Sequence, residues 1–210
     1  MGGDFQYKVD IFKYAEKHGL YFSKPFLDLF MQAKKVVFLK GEKIRFPYAD
    51  VAHLIFIHKG AVLGILSHKG KTVYKTIKIA SSIFLTDPKG FSKRKIDSNE
   101  WIAANKSELT AIPIGFLLKS LQSVEGAHDK LSAHIKKMIK TDYNLYREMI
   151  EQDSMHDKVG FLVKTYPSLF GKTRKYVANY MNVSQNGLSK AIKKWEGTNF
   201  GGKEDDENPR

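Results

Sequence analysis

The order of apolar and polar positions divides the chain into three kinds of stretch. Within residues 5–35, Phe26, Leu29, Phe30 and Ala33 recur at three- and four-residue steps, the spacing of one helix face, and Pro25 suits a first helical turn. From 36 to about 113 the runs shorten. VVFLKGEKIRF, HLIFIHKGAVLGIL and TVYKTIKIASSIF are rich in β-branched and aromatic residues and are punctuated by Gly41, Gly60 and Gly70. HKGK at 68–71 reads as a hairpin tip, TDPKGFSKRKIDSN at 86–99 as a loop, and WIAANKSELTAIPI closes the set. Short strands at near-regular spacing predict a barrel or sandwich.

The helical period returns over about 129–152, where Leu131, Ile135, Met138, Asp142, Leu145 and Met149 are spaced 4-3-4-3-4. That is the spacing of a coiled-coil seam with one polar position, and it predicts a dimerisation helix. Ile139, Tyr146 and Ile150 form a second stripe beside it. A helix packed on its own barrel would show the same periodicity. After Met155, VGFLVKTYPSLF is a helical run broken near Pro167.

YVANYMNVSQNGLSKAIKK, residues 176–194, holds two short amphipathic patterns meeting at MNVS. The first runs from about Thr173 to Met181, with Val177, Ala178 and Met181 inward. Asn182 tolerates the left-handed conformation a tight turn needs, Val183 plugs the corner, and Ser184 is a fitting N-cap. The second helix turns Leu188, Ala191 and Ile192 inward and Gln185, Asn186, Ser189, Lys190 and Lys193 outward. This is the helix-turn-helix layout, whose second helix enters the DNA major groove. Asn and Gln can pair with an adenine edge, Lys reaches guanine, and Ser bonds to either. Lys172, Arg174 and Lys175 before the first helix, Ser184, and Lys193 and Lys194 complete the DNA-contacting set. Gly187 weakens the second helix, by up to about 1 kcal/mol if it is interior. A solvated helical hairpin is the competing account of the same residues.

Charge sharpens this. The net charge is +13, and residues 158–195 carry eight Lys and Arg and no acid, as much net charge as residues 1–157 together. A polyanionic partner follows, nucleic acid before membrane. Hydrophobic content of 42%, with 14 Phe and 10 Tyr, is enough for an aromatic core. No cysteine is present, which excludes disulfides and thiolate-held metals. No apolar run reaches the ~18 residues of a membrane span. MGGDFQYK at the start lacks the apolar region of a secretory signal, so the expected location is the cytoplasm. Seven histidines, at 18, 53, 58, 68, 128, 134 and 156, show no ligand spacing, and no P-loop, Rossmann glycine pattern or Ser/His/Asp arrangement occurs. Neither an enzyme nor a metal site is expected.

The order of these segments resembles the CRP/FNR superfamily of bacterial transcription regulators over about residues 20–195. KGEKIRF resembles the turn that opens that family's roll, IFIHKGAVLGILSHKGKTV its following hairpin, and YPSLFGKTRKYVANYMNVSQNGLSKAIKK the ending common in its Bacteroidetes branch. The resemblance implies an α+β chain. An N-terminal double-stranded β-helix (jelly-roll, cyclic-nucleotide-binding-like) domain would span 1–125, a dimerisation helix 126–153, a helical helix-turn-helix domain 154–196, and an acidic disordered tail 197–210. It implies a cytoplasmic homodimer that binds double-stranded DNA, with RNA polymerase as a further partner, no membrane association, and Gln185, Asn186, Ser189 and Lys190 reading bases. Cyclic AMP fits poorly: the matching region, SSIFLTDPKGFSKRKIDSNEWIAANKSEL, has no Gly-Glu pair for the ribose. Ser98-Asn99 stands where Arg-Ser should hold the phosphate, and Arg94 is out of register. No cofactor is evident, though the roll could hold another small-molecule effector, and SKRK (92–95) is a lysine-rich loop before it is an anion site. Two alternatives stay open: a ligand-sensing or protein-interaction module whose helix-turn-helix is degenerate, and a cyclic-nucleotide-dependent activator.

Overall fold

The computed structural model describes residues 3–20, 33, 35–46, 52–68, 71–86, 99–122, 124–169 and 174–200. They form two compact units, Met1–Tyr143 and Asn144–Arg210. The boundary falls inside the long helix, between Tyr143 and Asn144.

The first unit opens with α1 (Gly3–Lys17). It is closed by Gly19 at φ 63°, with Leu20 N–H on the Ala15 carbonyl and Gly19 N–H on that of Glu16. This is a Schellman ending, which uses a left-handed residue to satisfy the last free carbonyls. Seven strands follow: β1 (Lys35–Phe38), β2 (His53–Lys59), β3 (Ala61–His68), β4 (Lys71–Ile79), β5 (Ser82–Leu85), β6 (Asn99–Ala103) and β7 (Ser107–Pro113). They build two antiparallel sheets, ordered β1-β7-β2-β5 and β4-β3-β6. The β3–β4 register pairs His68 with Lys71 across the expected hairpin tip.

β2 explains the layering. Residues 53–58 are all buried, with the apolar run Leu54–Ile57 between two buried histidines. Ile55 and Ile57 face the roll interior with Phe38, Phe46, Val62, Phe84, Trp101 and Leu109. Leu54 and Phe56 face the other way and meet Ile11 of α1. Gly60 turns the corner into β3 at φ +89°, and a Cβ there would lie 2.4 Å from Ser107 Oγ. Only glycine fits both the conformation and the space.

Two helices finish the layer, α2 (Ile114–Leu121) and α3 (Ala127–Glu151). The stripe expected as a dimer seam meets its own chain over its first half. Leu131 and Ile135 are 4% and 0% exposed and pack with Leu54, Phe56, Ile83, Leu85 and Ile112 of the same chain, with Met138 against that cluster. Asp142 bonds to Lys78 Nζ at 2.7 Å, Leu145 is half-buried, and Met149 is buried. Periodicity records that a stripe is covered and is silent about what covers it. Here the roll's own sheet covers the first half.

The second unit contains α4 (Met155–Thr165), a 3₁₀ turn at Pro167–Leu169, α5 (Arg174–Tyr180) and α6 (Gln185–Phe200). Residues 197–200, expected in the tail, extend α6: Thr198 Oγ1 donates to the Lys194 carbonyl and Asn199 Nδ2 to that of Trp195. The rest of the tail, the Pro25–Phe30 stripe, the SKRK loop with Arg94 and Ser98, and Lys172 lie outside the described residues.

Candidate nucleic-acid interface

The interface is built on the turn between α5 and α6. Val183 N–H reaches the Ala178 carbonyl at 2.9 Å and Asn182 N–H that of Asn179 at 3.1 Å. Asn182 between them has φ 56°. This is a second Schellman ending, with asparagine where glycine is usual. Two residues later, Ser184 Oγ accepts from Gly187 N–H at 3.0 Å and caps α6. The left-handed turn and the cap are therefore where the sequence placed them.

Gly187 takes its meaning from that cap. It is the third residue of α6 and donates the capped amide, and a Cβ on it would stand 3.1 Å from Ser184 Oγ. It lies in the first turn, where the helix-interior cost of glycine does not apply in full.

Val177, Ala178, Tyr180 and Met181 of the first helix and turn are buried, as are Leu188 and Ile192 of α6. Ala191 is half-buried. With about 100° per residue, Leu188, Ala191, Ile192 and Trp195 share one side of α6. The opposite arc carries Asn186, Lys190, Lys193 and Lys194, all exposed, while Gln185, exposed at the helix start, and the half-buried Ser189 lie at its edge. Arg174 and Lys175 are exposed at the start of α5, and Ser184 is exposed at the cap. The structure thus puts every described member of the predicted DNA-contacting set at the surface. The first turn of α6 also offers free backbone N–H groups, which favour an anion such as phosphate.

Sequence reasoning missed what holds α6 in place. Gly160 of α4 faces the indole of Trp195, and a Cβ at 160 would come within 2.9 Å of Trp195 Nε1. The signal was available: an isolated glycine inside a helical pattern often marks close packing. Tyr146 meets Tyr180 edge-on at 5.4 Å between ring centres and braces the shorter helix. α4 itself is capped by Ser154, whose Oγ accepts from Asp157 N–H at 3.1 Å.

Among the described residues no helix is long and apolar enough to cross a membrane, and no three His, Cys, Asp or Glu side chains converge as metal ligands.

A two-sheet roll followed by a long helix and a small helical unit with a helix-turn-helix is the fold of the CRP/FNR transcription regulators. Three solved structures carry that likeness. One, from Eubacterium rectale, is assigned to the transcriptional regulators of the CRP/FNR family; it shares 14% identity at a TM-score of 0.62, covering 84% of this chain and 85% of its own. FixK2 from Bradyrhizobium japonicum shares 12% at 0.62, covering 79% and 85%. A cyclic nucleotide-binding domain containing protein from Listeria monocytogenes shares 14% at 0.60, covering 91% and 92%. At such identity the likeness is one of fold. No family model matches the chain, and no curated protein matches it by sequence.

Proposed function

We propose that the protein is a homodimeric, sequence-specific DNA-binding transcription regulator that acts without cyclic AMP. One observation carries the reading: the exposed arc of α6 holds two amides, a hydroxyl and three lysines, in a 38-residue stretch with eight basic residues and no acid. Gln185, Asn186, Ser189 and Lys190 would read base edges. Lys172, Arg174, Lys175, Lys193 and Lys194 would take phosphates and fix the register. Two copies would place two α6 helices about one DNA turn apart, ~34 Å, on a pseudo-palindrome. Pairing of copies would use the exposed side of α3, where Tyr143 and Ile150 are 49% and 48% exposed, and not the stripe that the roll already covers. RNA polymerase is the further partner such a regulator would engage.

Independence from cyclic AMP is supported by the missing Gly-Glu and Arg-Ser pairs. It is also supported by the interior of the roll, where Phe84 and Trp101 stack at 4.0 Å between ring centres. The test is selection of sites from a random duplex pool at near-physiological salt, with and without cyclic AMP. The expected result is a two-fold motif enriched equally in both. Gln185→Ala and Lys190→Ala should each lose about 1–3 kcal/mol of discrimination between sites. Lys172→Ala should weaken all duplexes alike and lower the salt slope by about one. A motif that needs the nucleotide would make the protein a cyclic-nucleotide-dependent activator; no motif in either condition would favour a module with a degenerate helix-turn-helix.

A further inference from the structure

The first unit contains a cavity of about 670 Å³ on the outer side of the roll, between the end of α1, strand β4 and the first half of α3. Its lining shares no residue with the cluster that fills the roll interior. Its size lies within the range of small-molecule sites.

Three rings form one wall. Tyr14 Oη and His134 Nε2 are hydrogen-bonded at 2.9 Å. His18 lies over both, 4.3 Å from the Tyr14 ring centre and 4.8 Å from that of His134. Such a wall offers flat apolar faces with polar edges, which suits a planar body. Lys17 and Lys137 are exposed and line the same cavity. Asp142, the acid in the lining, is bonded to the buried Lys78, so its charge is spent inside the wall. The remaining charge facing the cavity is positive. Burial and the neighbouring lysines hold both imidazoles below their ordinary range, His134 at about 4. They are therefore neutral at pH 7 and act as stacking and hydrogen-bonding surfaces, while the lysines supply the charge.

We propose that this cavity binds a small planar organic anion, an aromatic ring carrying a carboxylate or phosphate. The ring lies against Tyr14, His18 and His134, and the anionic group is held by Lys17 and Lys137. A flat body satisfies the aromatic wall; a compact anion satisfies two ammonium groups that a neutral ligand would leave unused. This places a ligand outside the roll, on α3, and it does not depend on the DNA reading. Its test is read on the protein alone, so its failure leaves that reading untouched.

The test is calorimetric titration of the full chain at pH 7.5 with phenyl phosphate and with salicylate, alongside inorganic phosphate and phenol as probes of the anion and the ring alone. Phenyl phosphate or salicylate should bind at least tenfold more tightly than either half-probe. The Lys17→Gln/Lys137→Gln protein should lose about tenfold, a difference equivalent to 1.4 kcal/mol. Both lysines are exposed, so this protein should melt at the unchanged temperature, and Lys137→Arg on the Lys17 background should restore affinity. Imidazole NMR signals of His18 and His134 should shift on binding. Inorganic phosphate binding as tightly as phenyl phosphate would reduce the site to a basic patch and overturn the proposal. So would full affinity in the double variant, or no binding of either aryl anion at 10 mM.

Discussion

The two units differ in how much acid accompanies their cations. In the roll, three lysines are answered from within the chain: Lys35 by Glu108 at 3.3 Å, Lys43 by Glu100 at 2.8 Å, and Lys78 by Asp142 at 2.7 Å. Lys35 also donates to Tyr7 Oη at 2.7 Å, and Tyr7 Oη donates to Glu108, which ties α1 to the sheet. In the C-terminal unit no carboxylate occurs between residues 158 and 195. The same residue types are paired with acids of the fold in one place and stand in a stretch without acids in the other. A net charge of +13 says nothing of this division; the partners do.

The sharpest way to break that contrast is at Lys78. Lys78 is 6% exposed, so Asp142→Ala would leave a buried charge unpaired. The expected loss is about 3–5 kcal/mol of unfolding free energy, read from urea denaturation of the roll. Lys190→Ala, by contrast, should change stability by less than about 0.5 kcal/mol while altering DNA selection. Equal stability losses would end the distinction.

A second, smaller effect follows from acid. His58 is buried, hydrogen-bonded to Thr110 Oγ1 at 2.7 Å, and held at about 4 by burial. The unfolded chain takes up that proton near 6.5, so the folded roll binds fewer protons between the two values. Stability contributed by neutral His58 is then full above about pH 6.5 and is lost as pH falls toward 4. Denaturant titrations at pH 7 and pH 5 should differ by about 2 kcal/mol for this residue. His58→Gln, which cannot take up that proton, should flatten the dependence.

The smallest effect sharpens the account of the C-terminal unit. Ser184→Ala removes the cap on Gly187 N–H and should cost about 1 kcal/mol in thermal unfolding. It should weaken DNA binding more than that loss explains, because the cap also stands at the anion-favouring start of α6.

What could be read from the sequence tracks the distance over which each feature is decided. The α5–α6 turn rests on Asn182 and Ser184 acting within a few residues, and it was legible. The strands of the roll were legible too, since alternation and glycine turns are local. Leu131 and Ile135 were recognisable as buried, but a heptad stripe carries no address, and their meeting with the roll could not be read from it. Lys78 and Asp142 are 64 positions apart, and Tyr14 and His134 are 120 apart. Their meeting depends on the packing of α3 against the roll. Histidines judged scattered along the chain are therefore neighbours in space.

The chain has two tryptophans, and the fold gives one to each unit. Trp101 lies in the roll interior, stacked on Phe84. Trp195 sits against Gly160, where α6 meets α4. The protein consequently carries a separate fluorescent emitter for the unit that holds the cavity and for the unit that holds the helix-turn-helix. Replacing either tryptophan with phenylalanine leaves a single-colour view of the other, so a ligand's effect on one unit can be watched without attaching a dye.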